Sequence, residues 1–164
     1  MTKTQTTAKK RPTLTVKKVP CDKVATEKAL VGIYKNATMS KHAIKSLLSY
    51  VEDKEFAETL LAETAKYDEF CQKAEKLADE LKLKITPVSK TVLWMAKVGM
   101  RMKMMSDKST SNAAKIMLNG TFMGVIDLTT LFNHTEHLGE KVSALAQDLL
   151  AYQDERIKKL RTVL

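Results

Sequence analysis

The chain has little of what β architecture or a secreted scaffold demands. Its five glycines, three prolines and four phenylalanines in 164 residues are too few for the short strands and punctuating turns of a sandwich or barrel. Two cysteines, Cys21 and Cys71, lie too far apart for a metal-ligand spacing or a disulfide framework, so both thiols are expected to be reduced. The longest unbroken apolar run, Val92 to Ala96, falls far short of the roughly 20 residues of a spanning helix. No apolar stretch follows the basic N-terminus, which excludes an ordinary secretory signal. No catalytic motif stands out, so function has to be argued from fold, exclusions and charge.

What is present is helical. Ala, Leu, Lys, Glu and Met dominate, and these are strong helix formers. An all-α protein is expected, and the length suits one domain with one core. Net charge is +9, with 28 basic against 19 acidic residues, and it is uneven. Lys3, Lys9, Lys10, Arg11, Lys17 and Lys18 stand in an acid-free N-terminal segment. That segment is also Thr-rich, as transit peptides are, but Pro12, Pro20 and the β-branched run Thr13, Thr15, Val16 oppose the amphipathic helix such a peptide forms. The expectation is a disordered basic arm over residues 1–21 on a nearly neutral body of residues 22–164, in a cytoplasmic protein.

After Pro20 the apolar residues fall into steps of three and four. Leu30, Ile33, Ala37, Ile44, Leu47 and Val51 predict a helix over about 24–51. Asp53 is placed to cap a second helix over about 54–83, with a seam of Phe56, Leu60, Glu63, Tyr67, Phe70, Ala74, Leu77 and Leu81. So short a connection implies an antiparallel hairpin. Pro87 would open a short helix over about 88–106, with Trp94, Met95, Val98, Met102 and Met105 as its apolar stripe. Ser109, Thr110 or Ser111 would cap a helix over about 111–132 that is apolar nearly all round, and is therefore expected to be central, with Gly120 and Gly124 letting another backbone approach closely. The last helix, about 138–163, turns Val142, Leu145, Leu149, Tyr152, Ile157 and Leu160 inward, and its Lys158, Lys159 and Arg161 suit a helix C-terminus.

Two long hairpins joined by a crossover of bundle length form a ferritin-like up-down four-helix bundle whose long crossover carries an additional short helix. The stretches LVGIYKNATMSKHAIKSLL, KVGMRMKMMSDKSTSNAAKIMLNGTFMGVIDLTTLFN and LAQDLLAYQDERIKKL resemble an uncharacterised bacterial family of ferritin-like helical proteins. The resemblance covers about Ala29 to Leu164, rests on hydrophobic pattern and small residues, and implies a fold without an activity. Ferritin-like oxidases carry Glu-x-x-His on their iron-binding helices. Here Met39, Leu131 and His134 precede His42, His134 and His137 by three, so a standard di-iron oxidase is not expected and no cofactor is assigned.

Several residues remain candidates for a non-standard metal site. Glu63 sits on a seam, and folding the first hairpin at residues 52 and 53 brings it toward Lys41 and His42, with Tyr67 near Tyr34. Tyr34, Glu63, Tyr67 and Asp127 form a candidate polar core, in which buried acids require partners. His134, His137 and Glu140 have a spacing that could gather on one side of a helical turn for zinc or nickel. The cluster GMRMKMM offers soft thioethers of the kind copper(I) takes, but core packing is the preferred account of it. The crossover carries Lys90, Lys97, Arg101 and Lys103 and no acid from Val88 to Ser106, a composition suited to a solvated face, an anionic surface or a partner's groove. The expected function is that of a non-catalytic helical interaction protein. Lys9, Lys10, Arg11, Lys17, Lys18, Lys97, Arg101 and Lys103 would face an acidic protein, a nucleic acid or a membrane surface. A metal-binding bundle and a weak, aromatic-free nucleic-acid binder are the alternatives. Leu48, Leu61, Ile116 and Met123 lie outside the seams and suggest a homodimer.

Overall fold

The computed structural model describes residues 22–135 and 137–164. The predicted arm, with Lys9, Lys10, Arg11, Lys17, Lys18 and Cys21, lies outside these. The described chain is all-helical: α1 Lys23–Leu47, α2 Lys54–Leu81, α3 Lys90–Ser106, α4 Thr110–Asn133 and α5 Glu140–Arg161.

The caps follow the expected chemistry. Asp22 accepts from the backbone N–H groups of Val24 and Ala25, Asp53 from Phe56 at 2.9 Å, and Ser109 from Asn112 at 3.1 Å, which satisfies donors that the first turn leaves orphaned. The third helix opens at Ser89, whose hydroxyl accepts from Thr91, and not at Pro87. α1 stops at Leu47, short of Val51, and Tyr50 N–H bonds back to the Leu47 carbonyl in a closing turn.

Four long helices surround one core, α1 against α2 and α4, and α5 against α4 and α2. The seams of α1 and α2 are buried at Leu30, Ile33, Ala37, Ile44 and Leu47 and at Phe56, Leu60, Tyr67, Phe70 and Ala74, while Leu77 is half-buried and Leu81, the last residue assigned to the α2 seam, is exposed. Two expectations are corrected. The central helix is α1, which packs against each of the other four, and not α4. On α4, Phe122, Met123 and Ile126 are exposed, Met123 by 60%, and α3 rests chiefly on α1 and barely reaches α4. Of the stripe assigned to α3, Val98 is half-buried but Trp94, Met95, Met102 and Met105 face outward and are exposed, while Met104 is buried and Leu93, Ala96 and Met100 are half-buried. Apolar residues occupy both sides of α3, so spacing alone does not choose the inner one.

Two polar contacts pin α3. The His42 Nε2 hydrogen-bonds the Leu93 carbonyl at 2.9 Å, and since a carbonyl only accepts, Nε2 carries the proton. At the other end Asn112 Nδ2 donates to the carbonyls of Asp107 and Lys103, which ties the α3–α4 turn. Of the residues offered for a homodimer contact, Leu48 and Ile116 pack on the core, whereas Leu61 and Met123 are exposed.

Candidate binding groove and its polar floor

Three half-separated helices leave a groove of about 960 Å3, walled by α3 and α4 over α1. Val92 and Met100 of α3, Met39 and Ala43 of α1, and Ile116, Met117, Met123 and Leu131 of α4 make it predominantly apolar. Polar side chains also line it, among them Lys35, Asn36, Ser40, Lys103, Asn119 and Asp127, with Arg156 of α5 at its floor. Apolar walls with a few polar groups at fixed places are typical of sites that bind small molecules or apolar segments. The two glycines behave differently here. A Cβ on Gly124 would stand 2.6 Å from Asn36 Nδ2, so a side chain and not the expected backbone comes close there, while a Cβ on Gly120 would meet nothing within 4 Å because that position opens into the groove.

Arg156 is the residue that sequence reasoning missed. It is 2% exposed. Its Nε donates to Glu63 Oε2 at 2.7 Å, and its Nη1 donates to the Thr121 hydroxyl and, at 3.5 Å, to the Tyr67 hydroxyl. The guanidinium carbon lies 5.4 Å from the Tyr67 ring centroid, and Tyr67 meets Tyr152 edge-on at 5.3 Å. Burial opposes the charge of Arg156, but Tyr67 and Glu63 more than offset that and raise its affinity for its proton. Burial, with Glu63 second, pushes the Tyr152 hydroxyl well above the usual tyrosine range. One turn along α5, Gln153 donates to Asn36 Oδ1 at 2.7 Å, and Asn36 donates to the Gly124 carbonyl at 2.9 Å. A polar chain thus crosses from α5 through α1 to α4. The Gln153 Oε1 and the Arg156 Nη2 have no partner among the described residues. Leu149, Gln153, Arg156 and Leu160 step by four, three and four, and that periodicity was the signal available for placing Gln153 and Arg156 inside.

The other candidates do not assemble. Glu63 meets Arg156, and not His42 or Lys41. Lys41 instead bonds Asp68, Thr38 faces Cys71, and Tyr34 is perturbed by burial and then by Glu75. Each partner is about one helical turn further along α2 than a fold at residues 52 and 53 implies, because the link between α1 and α2 carries α2 past the end of α1. Tyr67 accordingly pairs with Tyr152, and not Tyr34. Asp127 is exposed on the groove side rather than in a polar core. His134 caps α4, His137 lies in the following loop with φ 59°, and Glu140 opens α5; they do not share a helical turn. Among the described residues no group of three or more His, Cys, Asp or Glu side chains is placed to hold a metal ion. Cys71 is 4% exposed and its thiol is pushed up by burial, which makes it a poor nucleophile. Lys97, Arg101 and Lys103 are exposed along α3.

No family model, curated protein or solved structure matches the chain. The geometry of the groove and of α3 therefore carries the functional argument by itself.

Proposed function

We propose that the protein is a non-catalytic interaction protein, built as a ferritin-like bundle, that meets an anionic partner with its α3 side. The supporting observation is the pairing of an apolar groove with a helix that carries exposed Lys90, Lys97, Arg101 and Lys103 and no acid from Val88 to Ser106. The ionisable groups closest to a catalytic role are engaged in structure. Glu63 is held by Arg156, His42 by the Leu93 carbonyl and Asp68 by Lys41. Lys9, Lys10, Arg11, Lys17 and Lys18 add an electrostatic tether that weakens as salt rises, whereas contact on apolar area persists.

Retention on immobilised heparin along a salt gradient tests this reading. The full chain, a chain lacking residues 1–20 and the double variant Lys97→Glu/Arg101→Glu are compared. Truncation should weaken retention without abolishing it, and the double variant should weaken it further in either background. Complete loss on truncation alone would remove the bundle as a contact face and leave the arm as a weak nucleic-acid binder.

A further inference from the structure

α3 has the reverse of the arrangement expected for a surface helix. A helix on a globular protein turns one apolar stripe inward and polar residues outward. α3 has 17 residues and only Met104 is buried. Leu93, Ala96, Met100 and Met104 form its inner line, spaced three, four and four apart. At 3.6 residues per turn, Trp94, Met95, Met102 and Met105 fall on the far side, and they are 64%, 63%, 68% and 66% exposed. The same geometry puts Lys90, Lys97 and Arg101 on one shoulder, between the inner line and the outer apolar strip, and Lys103 on the other. The outermost face is thus apolar and cations flank it.

Water suits the shoulders and not the face between them. A second copy laid isologously on this helix would set basic shoulders against basic shoulders, with no acid from Val88 to Ser106 to neutralise them. An anionic bilayer satisfies both parts at once: the apolar strip enters the boundary between headgroups and acyl chains, and the flanking cations extend back to the phosphates. A tryptophan on the strip is the side chain that favours that boundary most. No described helix is long and apolar enough to cross a membrane, so such a contact lies on the surface.

We infer that α3 docks in the plane of an anionic lipid surface, with Trp94, Met95, Met102 and Met105 inserted and Lys90, Lys97, Arg101 and Lys103 on the lipid phosphates. This rests on the reading of the α3 side as the contact face for an anionic partner.

The test uses the full chain with vesicles of phosphatidylcholine alone or of equal parts phosphatidylcholine and phosphatidylglycerol. Co-sedimentation is read together with the emission of Trp94, the only tryptophan. Binding to the mixed vesicles should shift that emission to the blue, and Met95→Glu/Met102→Glu should weaken binding about tenfold or more. Both replaced residues are exposed, so far-UV circular dichroism and the urea midpoint should stay unchanged. Binding with an unshifted Trp94, or binding indifferent to the double glutamate variant, overturns the inference, since the arm would then be holding the vesicle alone. If the vesicles fail while Lys97→Glu/Arg101→Glu still weakens heparin retention, the lipid surface is wrong and the anionic-partner reading stands. If both fail, both fall. A dimer by light scattering that Met95→Glu/Met102→Glu converts to monomer would give the face to a second copy and overturn the inference as well.

Discussion

Between α2 and α5, Tyr67, Phe70 and Tyr152 meet ring to ring and Glu63 closes on Arg156. Between α3 and α4 the walls stand apart over about 960 Å3, and methionines reach into solvent. Both regions draw on apolar side chains spaced for helices, so hydrophobicity does not separate them. Large rings and a buried ion pair fill the first. In the second, α3 is held at its ends, by His42 and by Asn112, and leaves α4 uncovered between. Close ring packing and a buried ion pair thus mark the α2–α5 side, and open, exposed apolar surface marks the α3–α4 side.

The sharpest way to break this contrast is Arg156→Ala, which strands the Glu63 carboxylate in the core. It should cost about 3–5 kcal/mol in urea unfolding, because a buried charge loses its partner, whereas Glu63→Met/Arg156→Met should cost far less. A double variant as damaging as the single one would mean that the pair contributes more than it costs to bury. Next, Leu149→Ala, at a fully buried position, should cost about 2–5 kcal/mol, while Met102→Ala on the outer face of α3 should stay within about 0.5 kcal/mol. Comparable losses would show that α3 is packed against something in solution.

The glycines give a smaller contrast. Gly124→Ala drives a methyl into Asn36, which is itself bonded to Gly124 and Gln153, and should destabilise by about 1–3 kcal/mol. Gly120→Ala meets open space and should stabilise by up to about 1 kcal/mol through helix propensity. Smallest is the link between α1 and α2 at Lys41 and Asp68. The hydrogen bond from Lys41 holds the Asp68 carboxyl below the usual aspartate range, so its contribution is fully present above that range and is lost as pH falls from there through the lowered folded-state value. With Asp68 half in solvent, Asp68→Asn should cost only about 0.5 kcal/mol at neutral pH and progressively less in acid, as read by urea midpoints across the pH range.

The seams of α1 and α2 and two of the caps were legible because apolar spacing and N-cap chemistry are local properties. The α1–α2 pairing level was not, since the path of the link past the end of α1 is set by packing. The inward face of α3 could not be chosen because the helix carries two apolar lines, and the larger side chains lie on the outer one. Arg156 went unread for a different reason: a charged residue on a seam reads as an interruption until its partner, far away on α2, is known. Of Tyr34, Glu63, Tyr67 and Asp127, offered together as a polar core, Glu63 and Tyr67 are buried, Tyr34 is half-buried and Asp127 is exposed.

One consequence concerns Cys71, enclosed where α1 meets α2 and facing Thr38. A thiol reagent reaches it only when those helices part, so its labelling rate, compared with that of the same thiol in the unfolded chain, measures how often the hairpin opens. In a Cys21→Ser background the chain then carries one chemical clock at its most tightly packed pair, and the sole tryptophan reports from the opposite extreme. The same sample can show whether a partner gripping α3 slows the clock on the far side of α1.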